Sequence, residues 1–103
     1  MAGFIGSPPT NFLNAGLVGG AAGRQLGIRP EHVRVAAAGR LEAHVAYAEA
    51  LGAETLVHLR AADGTPITVR QEAALPIPHE GDTAMLDWSD GDALYFDADG
   101  KRL

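Results

Sequence analysis

Glu54-Thr55-Leu56-Val57-His58-Leu59-Arg60 alternates, with Thr55, Val57 and Leu59 on one side and Leu56 and His58 on the other. A period of two places such residues on opposite faces of a strand. The stretch runs into Asp63-Gly64-Thr65-Pro66, a cluster of turn formers, and a second apolar run follows near 67–72. Two β-patterned runs around such a turn predict an antiparallel hairpin.

The same grammar extends in both directions. Residues 25–28 and 33–35 flank the turn Arg29-Pro30-Glu31-His32; Glu80-Gly81-Asp82 opens a strand over 83–88; Asp90-Gly91-Asp92 reads as a turn. A last strand is expected over 93–97, closed by the tight turn Asp97-Ala98-Asp99-Gly100. Residues 41–51 are rich in helix formers, and Leu41, Val45 and Leu51 fall roughly on one helical stripe. Leu41, Ala43, Val45 and Tyr47 also alternate, and the β context on both sides favours a strand. Asn14 to Gln25 hold four glycines and little pattern, a flexible or tightly turned connection. Short runs punctuated by Gly and Pro predict one all-β domain over 1–103, without internal repeat.

Composition narrows the function. The 103 residues contain no cysteine, which removes disulfide and thiolate–metal chemistry. No apolar run approaches the roughly 18 residues that span a bilayer as a helix. Residues 1–79 balance six acids against six arginines; residues 80–103 carry seven acids against Lys101 and Arg102, the whole of the net −5. Nucleic acid requires clustered positive charge, so it is rejected as a partner.

Sites for chemistry are not evident. Gly16-Leu-Val-Gly19-Gly20-Ala-Ala-Gly23 lacks the Lys-Ser/Thr that completes a phosphate loop, and the single lysine is Lys101. Asp97, Asp99 and Gly100 fit three positions of a calcium loop, but Tyr95 stands at its first position and the sequence ends before its twelfth. His32, His44, His58 and His79 form no close ligand pair. Ser7 and Ser89 lack a nucleophile-elbow setting. No catalytic, cofactor or metal residue is assigned.

The apolar start Gly3-Phe4-Ile5-Gly6-Ser7-Pro8-Pro9-Thr10-Asn11-Phe12-Leu13 has two readings: it packs on the domain's own core, or it leaves a preceding domain and seals the junction. The stretch also resembles the F-I-G-S-P-x-M-N-F-L segment of ABC importer ATPases of the maltose and glycerol-phosphate type, with Thr10 in place of the usual Met. Leu26-Gly27-Ile28-Arg29-Pro30-Glu31-His32 matches that family's L-G-I-R-P-E-H. Leu51-Gly52-Ala53-Glu54-Thr55 resembles its L-G-x-E-T, and Leu94-Tyr95-Phe96-Asp97-Ala98-Asp99-Gly100-Lys101-Arg102-Leu103 resembles its closing segment, a Leu and then F-D-x-x-G-x-x-L. The four segments occur in family order across almost the whole chain.

The resemblance implies an OB-like antiparallel barrel of the TOBE/MOP-like kind, the C-terminal regulatory domain of the ATP-binding subunit of a sugar or glycerol-phosphate importer. It implies a homodimer through this domain, contact with the subunit's own nucleotide-binding domain and with the transporter's membrane subunits, and in some members a regulatory protein. It places the chain in the cytoplasm at the inner face of the plasma membrane. ATP and Mg belong to the preceding domain, and this fragment is expected to hold no cofactor and to hydrolyse nothing. Phe4, Ile5, Pro8, Asn11 and Phe12 are expected at the junction; Arg29, Pro30 and Glu31 form a corner near the partner contact, or else a structural turn with a surface ion pair. A second reading is a small-ligand domain for oxyanions or effectors. The family has a longer stretch, with extra strands, where this chain has only Asn14–Gln25, so the barrel is expected to close incompletely and expose an edge.

Overall fold

The computed structural model describes residues 10–19 and 23–102. It contains eight strands, all paired antiparallel, and no α-helix among the described residues: β1 (Asn11–Asn14), β2 (Gln25–Ile28), β3 (Arg34–Ala36), β4 (Leu41–Ala50), β5 (Glu54–Ala61), β6 (Pro66–Glu72), β7 (Thr83–Asp87) and β8 (Leu94–Phe96). They form a three-stranded sheet, β1-β2-β8, and a five-stranded sheet, β3-β7-β4-β5-β6.

The hairpin read first is β5–β6, in register Val57↔Val69 and Leu59↔Ile67. Thr55, Val57, Leu59 and Ala61 are buried, while Leu56 and His58 are half-buried on the other face. Gly64 at positive φ lets the turn close, and Asp63 Oδ1 accepts from the Thr65 N–H at 2.9 Å. Hydrogen bonds from Thr65 hold the Asp63 carboxyl below its ordinary value.

Residues 41–50 form a strand despite their helical propensity. Pairing with β5 on one side and β7 on the other satisfies the backbone along much of β4, and Leu41, Ala43 and Val45 are buried between them. Tertiary burial outweighs a preference of a few tenths of a kcal/mol per residue. A bulge between Val45 and Tyr47 shifts the register. There Val45 donates to the Asp82 carbonyl and accepts from the Gly81 N–H, both at 2.8 Å, so the turn before β7 continues the ladder.

One core joins the two sheets: Leu13, Leu26 and Ile28 from the small sheet pack with Val57, Leu59, Ile67, Val69, Leu86 and Trp88 from the large one and its flank. The Arg40 guanidinium lies 5.7 Å from the Trp88 ring centre. The large sheet curls so that its edge strands β3 and β6 approach each other without a ladder. A 3₁₀ turn, Pro30–His32, packs beside β6. The all-β, OB-like reading holds, as two antiparallel sheets that do not close.

Candidate contact site

The described residues among those expected at a junction or partner contact gather at one end of the small sheet. Asn11 pairs with Ile28, which sets the start of β1 beside the Arg29-Pro30-Glu31 corner. Phe4, Ile5 and Pro8 lie outside the described residues.

The five described residues face different ways. Asn11 is 6% exposed, and its side chain reaches β6: Nδ2 donates to the Thr68 carbonyl and Oδ1 accepts from the Thr68 N–H, each at 2.8 Å. Phe12, the next residue, points outward and is 51% exposed. Its ring meets Phe96 edge to face, centroids 5.9 Å apart. Both rings lie over Gly27, where an added Cβ would stand 3.1 Å from Phe96 and 3.2 Å from Phe12. Leu94, opposite Gly27 in the ladder, extends this aromatic patch.

At the corner, Pro30 is buried at the first position of the 3₁₀ turn, where its missing N–H costs nothing. His32 N–H donates to the Arg29 carbonyl at 3.0 Å. Arg29 and Glu31 are exposed on either side of the buried proline. His32 Nδ1 lies 3.9 Å from Asp92. The Arg29–Glu31 stretch is thus a fixed turn with its charges turned to solvent.

Shallow hollows mark the surface around these residues. One, of about 250 Å³, is lined by Thr10, Gly27, Arg29, His32, Asp92 and Leu94. It offers Arg29 and His32 to an anion but sets the Asp92 carboxylate among them, which opposes an oxyanion. Among the described residues no three His, Cys, Asp or Glu side chains converge as metal ligands. The Asp97 carboxylate is occupied by its own turn, accepting from Asp99 N–H at 2.9 Å and Lys101 N–H at 2.8 Å.

Sequence reasoning missed two surface groups. Phe96 and Leu94 join Phe12 in one patch, and the signal was available in the alternation of Leu94-Tyr95-Phe96 and in the glycine at 27. On the outer face of the large sheet, Tyr47 stacks on His58 with centroids 4.4 Å apart, and His58 Nε2 lies 2.7 Å from Glu49 Oε1. The bulge in β4 creates that neighbourhood, and no local pattern announces it. Beside it Arg70 holds Glu54 through two bonds of 2.7 Å, which keeps the Glu54 carboxyl below its ordinary value and raises Arg70.

Among known proteins, the TOBE domain family matches residues 26–96. The sn-glycerol-3-phosphate import ATP-binding protein UgpC of Cereibacter sphaeroides is 39% identical over the whole chain, which corresponds to 34% of that relative. The lactose transport ATP-binding protein LacK of Rhizobium radiobacter is 32% identical, again over the whole chain and 37% of the relative. A second UgpC, from a Ruegeria species, is 45% identical over 56% of the chain and 21% of its own length. The chain spans about a third of the length of the first two. The first alignment extends over 122 positions against the chain's 103 residues, so the relative is longer within the matched span.

Proposed function

The chain belongs to the TOBE-domain family, and from that premise we propose that it is the regulatory domain of the ATP-binding subunit of an ABC importer for sugars or glycerol-phosphate-like solutes. The observation that carries this reading is the similarity of the whole chain to about a third of import ATP-binding proteins. The phosphate-loop motif is absent from the 103 residues, so ATP and magnesium are handled by a nucleotide-binding domain elsewhere in the parent subunit. No described helix is long and apolar enough to cross a membrane. The parent works in the cytoplasm at the inner membrane face, held there by the transporter's membrane subunits.

The domain acts by contact. Pairing of two such domains makes the meeting of two catalytic subunits effectively intramolecular, and that raises their effective concentration. An effector or regulatory protein alters transport only if it binds one arrangement of the pair better than another. The outward Phe12–Phe96–Leu94 patch and the exposed Arg29 and Glu31 are the surfaces that suit such contacts. Sedimentation equilibrium of the chain over a wide concentration range tests the pairing. A concentration-dependent dimer weakened by Arg29→Ala and Glu31→Ala is expected. A strict monomer at millimolar concentration rules out autonomous pairing.

A further inference from the structure

We propose that Asn11 is a latch: its carboxamide takes the place of a strand at the edge of β6, ties the small sheet to the large one, and keeps that edge closed to a strand from another molecule. Among the described residues β6 is the last strand of its sheet, with a ladder to β5 on one side, while the 3₁₀ turn Pro30–His32 packs beside it without pairing as a strand. In such a strand, alternate residues direct N–H and C=O away from the ladder. An edge of this kind is a template for pairing with a second chain. Thr68 is one of the outward positions, and both its backbone groups are taken by Asn11 at 2.8 Å.

A carboxamide carries one carbonyl acceptor and N–H donors, the same pair a peptide unit presents. At 6% exposure the Asn11 amide has little access to water, so losing Thr68 would leave buried polar groups unsatisfied. Two residues before Thr68, at the previous outward position, stands Pro66, which has no N–H to offer. Of two successive outward positions, one therefore lacks a donor and the other has both its backbone groups taken by the latch. A hollow of about 320 Å³ lined by Thr10, Asn11, Phe12, Thr65, Pro66 and Thr68 lies along the same seam. This reading stands on the described residues alone and is independent of any role in transport.

The test is amide hydrogen exchange and sedimentation on the isolated chain, wild type against Asn11→Ala. In the variant the Thr68 amide should exchange about tenfold faster or more, while the ladder amides of Val57 and Val69 keep their protection. The variant should also associate at concentrations where the wild type does so less. Unchanged Thr68 protection overturns the latch, and unchanged association overturns the sealing of the edge. Asn11→Asp covers the case in which the alanine variant fails to fold. It keeps the shape and the acceptor for Thr68 N–H but sets an oxygen against the Thr68 carbonyl. Protonation of that carboxyl, raised by burial, restores a donor. The thermal deficit of Asn11→Asp against wild type should shrink as pH falls, and a deficit independent of pH sinks the idea. His58, whose Nδ1 is 3.5 Å from Thr68 Oγ1, is common to both proteins and cancels.

Discussion

The two sheets of this domain are held by different means. The five-stranded sheet is joined by long backbone ladders with one bulge in β4, and its inward residues recur every second position along β5, β6, β7 and the first half of β4. The three-stranded sheet has strands of three or four residues, a glycine beneath two phenyl rings, and a side-chain tie to β6. Ladders spread stabilisation over many equivalent bonds, whereas a tie concentrates it in one residue. The large sheet is therefore the framework, and the small one carries an exposed cluster of Phe12 and Leu94 around Phe96 on short strands.

The sharpest way to break this contrast is a cavity in the framework. Leu86 is fully buried on β7, with Leu41 opposite on one neighbour and Val35 on the other. Leu86→Ala should cost about 2–5 kcal/mol, a large share of what a domain of this size holds. Urea unfolding followed by Trp88 fluorescence measures it, and a loss below about 1 kcal/mol would show that β7 is not central to the core.

Two glycines test the same contrast at smaller scale. A Cβ at Gly39 would meet the Leu86 carbonyl oxygen at 2.4 Å and its carbon at 2.8 Å, both backbone atoms of the ladder. Backbone cannot yield locally, so Gly39→Ala should destabilise by about 1–3 kcal/mol. The Cβ at Gly27 would instead press on the ring atoms of Phe12 and Phe96, and Phe12 is half in solvent and free to turn. Gly27→Ala should therefore cost less than Gly39→Ala, about 1 kcal/mol or below. Thermal unfolding of the two variants side by side decides; the reverse order would mean that the phenyl pair is a rigid part of the fold.

The same distinction explains what could be read from the sequence. The large sheet is legible because its core face repeats with period two: Thr55, Val57 and Leu59 on β5, then Ile67 and Val69 on β6. Even the ambiguous 41–51 stretch resolves once its neighbours are strands, since two flanking ladders decide its conformation. The site is less legible because adjacent residues do opposite things. Asn11 and Phe12 belong to one motif, yet one faces the core seam and the other solvent. A motif records that both matter; only the fold separates a tie from a surface. Thr68, the partner in that tie, lies 57 residues away from Asn11 and carries no local signal.

Charge gives the smallest effect and separates the two kinds of tie. Glu54 and Arg70 link β5 to β6 on the outer face through two 2.7 Å bonds, with 40% and 29% of the side chains exposed. The Arg70 hydrogen bonds hold the folded Glu54 carboxyl below its unfolded value, so its contribution is fully present above the ordinary glutamate range and is lost as pH falls through the depressed folded value. Wild type should melt slightly above Glu54→Gln at neutral pH, and the difference should vanish once the pH lies below the depressed folded value. Solvent screens a half-exposed pair, so the gap at neutral pH should also narrow in high salt. The Asn11–Thr68 tie has no titrating member, and at the same acid pH the Thr68 amide should keep its protection relative to Val57 and Val69. Loss of Thr68 protection together with the Glu54 pair would show that the two ties act as one, and that the seam depends on the outer face of the large sheet.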